Sequence, residues 1–215
     1  MNADTIETLI LPEPIGPAPR LRMEGITKRF GGVRALEGVT VESFAGEVHA
    51  ICGENGAGKS TLMKILAGVE QPTTGAIMMN GERVSFSSVR DAESKGIGIV
   101  FQELNLCPNM TVTENIFMGR DITRMGFHID RAAQRARAAE LIGRLEHEID
   151  PDALVADLMI GEQQIVEIAK ALADDASILI LDEPTSSLSA SEVEVLFKVI
   201  GELRRAGVAI IYISH

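Results

Sequence analysis

Cysteine is scarce in this 215-residue chain: Cys52 and Cys107 are its only two. With no secretory leader at the start, that count implies reduced thiols in a cytoplasmic setting and excludes a disulfide framework. Long hydrophobic runs are missing as well. The longest, such as IGIVF, ILIL and VAIIYI, are strand-length, whereas a membrane span needs about 20 apolar residues. Positive charge is in deficit, with 20 Lys and Arg against 31 Asp and Glu and a net charge of −11. That balance, with a pI near 4.9, argues against DNA, RNA or an anionic lipid surface as the main partner, since those need clustered cations. Repeats are absent, and the one biased stretch, Leu11 to Arg20, holds four of the eight prolines. Residues 1–20 therefore read as a flexible tail, not a signal peptide. The remainder, in a chain 46% hydrophobic and 24% charged, has the balance of one soluble domain with a proper core.

From Leu21 onward, short strand-like runs appear: LRMEGITKRF, VTVESF and EVHAIC, the last feeding a glycine-rich turn. A helix is expected from Lys59 to about Ala67, closed by Gly68. GAIMMN and GIGIVFQ read as further strands, with one helix in the polar stretch Ser87 to Lys95 between them. The segment from about Met110 to Ile149 is rich in Ala, Arg and Glu. Its Ala138, Leu141, Ile142, Leu145 and Ile149 fall at helical spacing, so it reads as a helical insert, with the helical part running to about residue 175. Glu162 to Ala173 is a second helix, followed by the buried-strand run SILIL, a helix carrying Val193, Leu196, Phe197, Ile200 and Leu203, and the strand VAIIYI. Strand, helix, strand in that order implies right-handed crossovers and a mostly parallel α/β sheet.

Gly53, Glu54, Asn55, Gly56, Ala57, Gly58, Lys59 and Ser60 satisfy G-x-x-x-x-G-K-[ST], and they lie between a strand and a helix, as a phosphate-binding loop must. Glycines let successive N–H groups point inward around phosphate oxygens, and the helix that follows adds its positive end. Lys59 would reach the β- and γ-phosphates, and the Ser60 hydroxyl would ligate Mg²⁺. The run Ile178 to Leu181 ends in two carboxylates, Asp182 and Glu183. Alone, an acidic pair after a strand is usually a solvated loop start. At the same sheet edge as the glycine loop, Asp182 can hold Mg²⁺ through a water and Glu183 can take a proton from a water behind the γ-phosphate.

Taken in order, GENGAGKST, FQE, LMIGEQQ, LDEPTSSLS and ISH resemble the ATP-binding subunits of ABC transporters, and the resemblance runs from Leu21 to His215. It implies a P-loop ATPase fold with a mostly parallel core sheet, an antiparallel β subdomain and a helical insert. It also implies that Gln102 contacts Mg²⁺ and the attacking water, that His215 contacts the γ-phosphate, and that Phe30 stacks on adenine, with Thr61 among the ATP-binding residues. By the same resemblance, Leu158, Met159, Ile160, Gly161, Glu162 and Gln163 form the signature segment, which caps a nucleotide bound by a second cassette in head-to-tail pairing. EQQIVEIAKAL, FQELNL, TVTENIFMGR and DEPTSSLSASEVEVLF are similar to the N-terminal half of tandem ATPases that energise bacterial monosaccharide uptake. The implied partners are a second cassette, an integral membrane permease and, indirectly, a periplasmic sugar-binding protein, with no nucleic acid. The implied place is the cytoplasmic face of the inner membrane. On this resemblance the fold is expected to be truncated after His215.

Two positions depart from the family pattern. Met159 stands where a serine usually donates to the partner site's γ-phosphate, and methionine cannot donate; Ser189 stands where an Asp often couples the two sites. The rival readings are an ABC-type ATPase or ATP-gated clamp not coupled to a permease and, more distantly, a metabolic kinase, which would not need the LMIGEQQ segment. The charge of −11 weighs against a clamp on DNA or ribosomes.

Overall fold

The computed structural model describes residues 7–10 as backbone, and residues 18–54, 56–124, 128–186 and 188–214 in full. Its elements run β1 (Glu7–Ile10), β2 (Leu21–Phe30), β3 (Val33–Ser43), β4 (Val48–Cys52), α1 (Lys59–Leu66), β5 (Thr74–Met79), β6 (Glu82–Val84), α2 (Val89–Ser94) and β7 (Ile97–Val100). After these come α3 (Val112–Ile116), β8 (Thr123–Arg124), β9 (His128–Ile129), α4 (Arg131–Arg144), α5 (Ile160–Ala171), β10 (Ile178–Asp182), α6 (Ala190–Arg205) and β11 (Ala209–Ser214). Among the described residues, one sheet has the order β1-β4-β11-β10-β7, a second the order β3-β2-β5-β6, and β8 and β9 make a small hairpin. β4, β11, β10 and β7 are mutually parallel, and every pairing in the second sheet is antiparallel. This is the α/β fold expected from the order of the runs. No helix among the described residues is long and apolar enough to cross a membrane.

The strands of the parallel sheet carry apolar residues on both faces because both faces are covered. In β10, Leu179 and Leu181 enter a core with α4, α5 and α6, through residues such as Leu141, Ile165, Ile168 and Leu196. Ile178 and Ile180, pointing the other way, enter a core with α1 and the antiparallel sheet, through Leu62, Ile65, Met23 and Ile77. α3 begins with a full capping box, Thr111 with Glu114, a signal not used above. Leu145 is the C-cap of α4 and Ile149 lies beyond it, so the helical spacing carried past the helix end, although both residues are buried.

One expectation is corrected. Residues 7–10 are not part of a flexible tail but a strand, paired antiparallel with β4 in the register Glu7 to Cys52 and Ile10 to His49. The outer edge of β4 would otherwise present unpaired backbone groups, and the chain before the proline run supplies the missing strand. Residues 1–6 and 11–17 of that expectation lie outside the described residues.

At the far end of β4 from the glycine loop, His49 is buried, and neither ring nitrogen has a hydrogen-bond partner. Nδ1 stands 3.6 Å from Glu47 Oε1. Burial holds the imidazole below its ordinary value of 6.5, outweighing the attraction of Glu47. A histidine depressed in the folded state leaves stability intact above its unfolded pKa and removes it as pH falls through the window below. Urea titrations should show wild-type stability dropping between about pH 7.5 and about pH 5.5, and His49→Leu, which cannot titrate, losing measurably less over that window. Equal losses would mean that His49 takes up its proton without cost.

Candidate functional site

The glycine loop leaves the C-terminal end of β4 and enters α1 at Lys59. Gly58, the N-cap of α1, has φ 94° and ψ −1°, a left-handed conformation that only glycine adopts without cost. Sterics make the same demand: a Cβ there would lie 2.7 Å from both Ala35 O and Leu36 Cδ2. The loop is thus pressed against β3, and the two sheets meet at this residue. Lys59 is 5% exposed. Its ammonium donates to the carbonyl oxygens of Gly53 and, at 3.1 Å, Glu54, while Ala57 N–H closes a turn onto Glu54 O at 3.2 Å.

Glu54, Gly56, Gly58, Lys59, Ser60 and Thr61 line a cleft of about 140 Å³ together with Ala35 and Glu183. That is smaller than the roughly 300–1,000 Å³ of a pocket that encloses a drug-sized ligand. It suits phosphate groups, and a base would lie outside it. Glu183 has φ 47°, left-handed for a residue that carries a side chain, and strain of this kind gathers at functional positions. Its N–H donates to Ile213 O at 3.0 Å across the β10–β11 pair. Asp182 ends β10 just before it. Phe30 is 45% exposed at the end of β2, so it is not a core side chain, and the Lys28 ammonium lies 4.9 Å from its ring centroid.

Not every expected residue joins this cleft. Gln102 lines a separate cleft of about 500 Å³ with Glu103, Leu104, Ile160 and Ser186. Asn55 and His215 lie outside the described residues. In the signature segment, Met159 is the N-cap of α5 and is 69% exposed. The Glu162 carboxylate is turned back onto Met159 N–H at 2.8 Å, and the Gln163 amide donates to Leu158 O at 3.0 Å. Both side chains therefore cap their own segment.

The 500 Å³ cleft joins pieces that sequence reading held apart. α5 grips Asn105, close to Gln102, from both sides: Glu167 accepts the Asn105 N–H and Lys170 Nζ donates to Asn105 O at 2.7 Å. Burial raises Glu167 above the usual carboxylate range, against the pull of Lys170 and of that N–H. At the other end of α5, Glu192 Oε1 accepts the Gly161 N–H at 2.8 Å. Glu167, Lys170 and Glu192 are not among the residues that the sequence pointed to. Only Glu192 had a local signal, the S-x-x-E spacing from Ser189.

Residues 36–186 match the ABC transporter family. The chain belongs to that family. Among its relatives, a putative ribose/galactose/methyl galactoside import ATP-binding protein of Agrobacterium fabrum is 53% identical over 91% of this chain and 38% of its own length. A ribose import ATP-binding protein of Streptomyces avermitilis is 50% identical over 95% of this chain and 40% of its own. The chain thus spans about two fifths of the length of these relatives. Among solved structures, a nucleotide-free ATP-binding cassette from an ABC transporter superposes with TM-score 0.81 at 26% identity, covering 92% of this chain and 81% of that one. A dimeric cassette bound to ADP and Pi superposes with TM-score 0.72 at 26% identity, covering 91% and 88%.

Nucleotide binding follows from membership in this family, and the donor set suits Mg²⁺ too. Ser60 and Asp182 offer hard oxygens. That matches an ion held by one or two side chains and the phosphates themselves. Gly58→Ala should destabilise the fold by at least about 2 kcal/mol, since it adds both left-handed strain and overlap with Ala35 and Leu36. Urea unfolding would measure that loss, and a variant as stable as wild type would show that the loop relaxes away from β3 freely.

Proposed function

We propose that this chain is the ATP-binding and ATP-hydrolysing cassette of an importer for a monosaccharide. Residues 21–215 form one nucleotide-binding domain with a helical part at about 110–175. It pairs head-to-tail with a second cassette and powers an integral membrane permease at the cytoplasmic face of the bacterial inner membrane, fed by a periplasmic sugar-binding protein. The observation that carries this reading is the cleft that Lys59, Ser60 and Glu183 line together. The printed names of the relatives support sugar import, and the dimeric cassette supports pairing.

In this reading Lys59 leaves the Gly53 and Glu54 carbonyls for β- and γ-phosphate oxygens, while loop N–H groups and the start of α1 take the remaining charge. Ser60 and Asp182, with Gln102, would hold Mg²⁺, which when bound neutralises charge on the β- and γ-oxygens. Glu183 accepts a proton from water as the water oxygen bonds to the γ-phosphorus. The bond from that phosphorus to the bridging oxygen breaks, and ADP leaves with its electrons. Phe30 would stack on adenine, and His215 would contact the γ-phosphate. In the intact transporter, Glu183→Gln should keep Mg·ATP affinity and lower turnover at least about 100-fold, as loss of a general base does. A variant holding more than about a tenth of wild-type turnover would remove Glu183 as the base.

A further inference from the structure

The N-terminus of the signature helix α5 already has anions on it. Glu162 takes the Met159 N–H and Glu192, reaching across from α6, takes the Gly161 N–H at 2.8 Å. Gly161 leaves space for this approach: a Cβ there would meet Glu192 Cγ at 2.8 Å and Oε1 at 3.0 Å. The two oxygens of Glu192 do different things. Oε2 accepts from Ser189 N–H at 2.8 Å and from the Ser189 hydroxyl at 2.6 Å, closing the capping box of α6, and Oε1 holds Gly161. The carboxylate can therefore release Gly161 and stay anchored at Ser189.

We propose that Glu192 is a displaceable anion on the signature segment, occupying the Gly161 N–H until the γ-phosphate of a partner's nucleotide takes that donor. The proposal rests on the head-to-tail pairing read above. Carboxylate and phosphate seek the same group, a backbone N–H at the positive end of a helix, and both cannot hold it. Met159 sharpens the competition, because its side chain offers no hydroxyl and leaves the backbone as the donor. Hydrogen bonds from the Ser189 hydroxyl, the Ser189 N–H and the Gly161 N–H hold Glu192 below the usual carboxylate range, so it stays charged at neutral pH. Its charge then opposes closure around a triphosphate and has no bearing on a diphosphate, which lacks the group that reaches the signature. Glu192 acts through backbone donors and is a positioning residue.

Equilibrium binding of Mg·AMP-PNP and of Mg·ADP to the full-length native protein tests this. Glu192→Gln drops the charge and keeps a single accepting oxygen, enough for Ser189 or Gly161 but not both; Glu192→Asp keeps the charge but is too short to span Ser189 and Gly161 together. Both variants should bind Mg·AMP-PNP about three- to ten-fold more tightly than wild type, with Mg·ADP affinity within about two-fold. Unchanged or weaker Mg·AMP-PNP binding in both variants overturns the proposal and leaves Glu192 a structural cap. Wild-type protein that binds Mg·AMP-PNP no more tightly than Mg·ADP would overturn the pairing reading itself, and this proposal with it.

Discussion

The close approach of Gly58 to the Ala35 carbonyl and the Leu36 side chain is the constraint on which the rest depends. Gly58 makes a left-handed turn at the mouth of α1, and Gly58, Lys59 and Ser60 line one small cleft. A nearly buried ammonium needs acceptors, and the carbonyls of Gly53 and Glu54 serve. The two sheets share a core that holds Met23, Leu36, Ile51 and Ile178, and the glycine loop touches the antiparallel sheet through Gly58.

Around that point the parallel sheet acts as a rigid plate with two cores, one under α1 and the antiparallel sheet, the other under α4, α5 and α6. Glu183 is placed by the end of this plate, and its left-handed backbone is held by the bond to Ile213. α5 lies across the plate as a rod. One end carries Gly161 and the other grips Asn105 through Glu167 and Lys170. Stiff elements with discrete contacts at each end are the physical means by which a nucleotide event can reach a distant surface.

Much of this was legible in the residues. The glycine loop, the buried strands ending at Asp182 and at Ser214, and α1, α5 and α6 follow from local patterns of 3.6 and 2 residues or from turn chemistry. β1 was not legible, because a run of four residues beside prolines carries no periodicity and gains its hydrogen bonds only from the edge of β4. The β8–β9 hairpin is too short to leave a pattern. Phe30 could be read as core or as surface, and its 45% exposure decides for surface. Glu167 and Glu192 escaped for another reason: their partners, Asn105 and Gly161, are distant in sequence, and a charged residue on a helix gives no sign of whether it faces water or a backbone N–H.

The central claim is that Lys59 and its loop form a phosphate cradle whose carbonyl bonds are placeholders. A crystal structure with Mg·AMP-PNP tests it most directly. The account predicts the β- and γ-phosphates within the Gly53–Ser60 loop, with Lys59 Nζ on their oxygens and no longer on the Gly53 and Glu54 carbonyls. Phosphates bound elsewhere, or a Lys59 still held by those carbonyls with nucleotide in place, would contradict it.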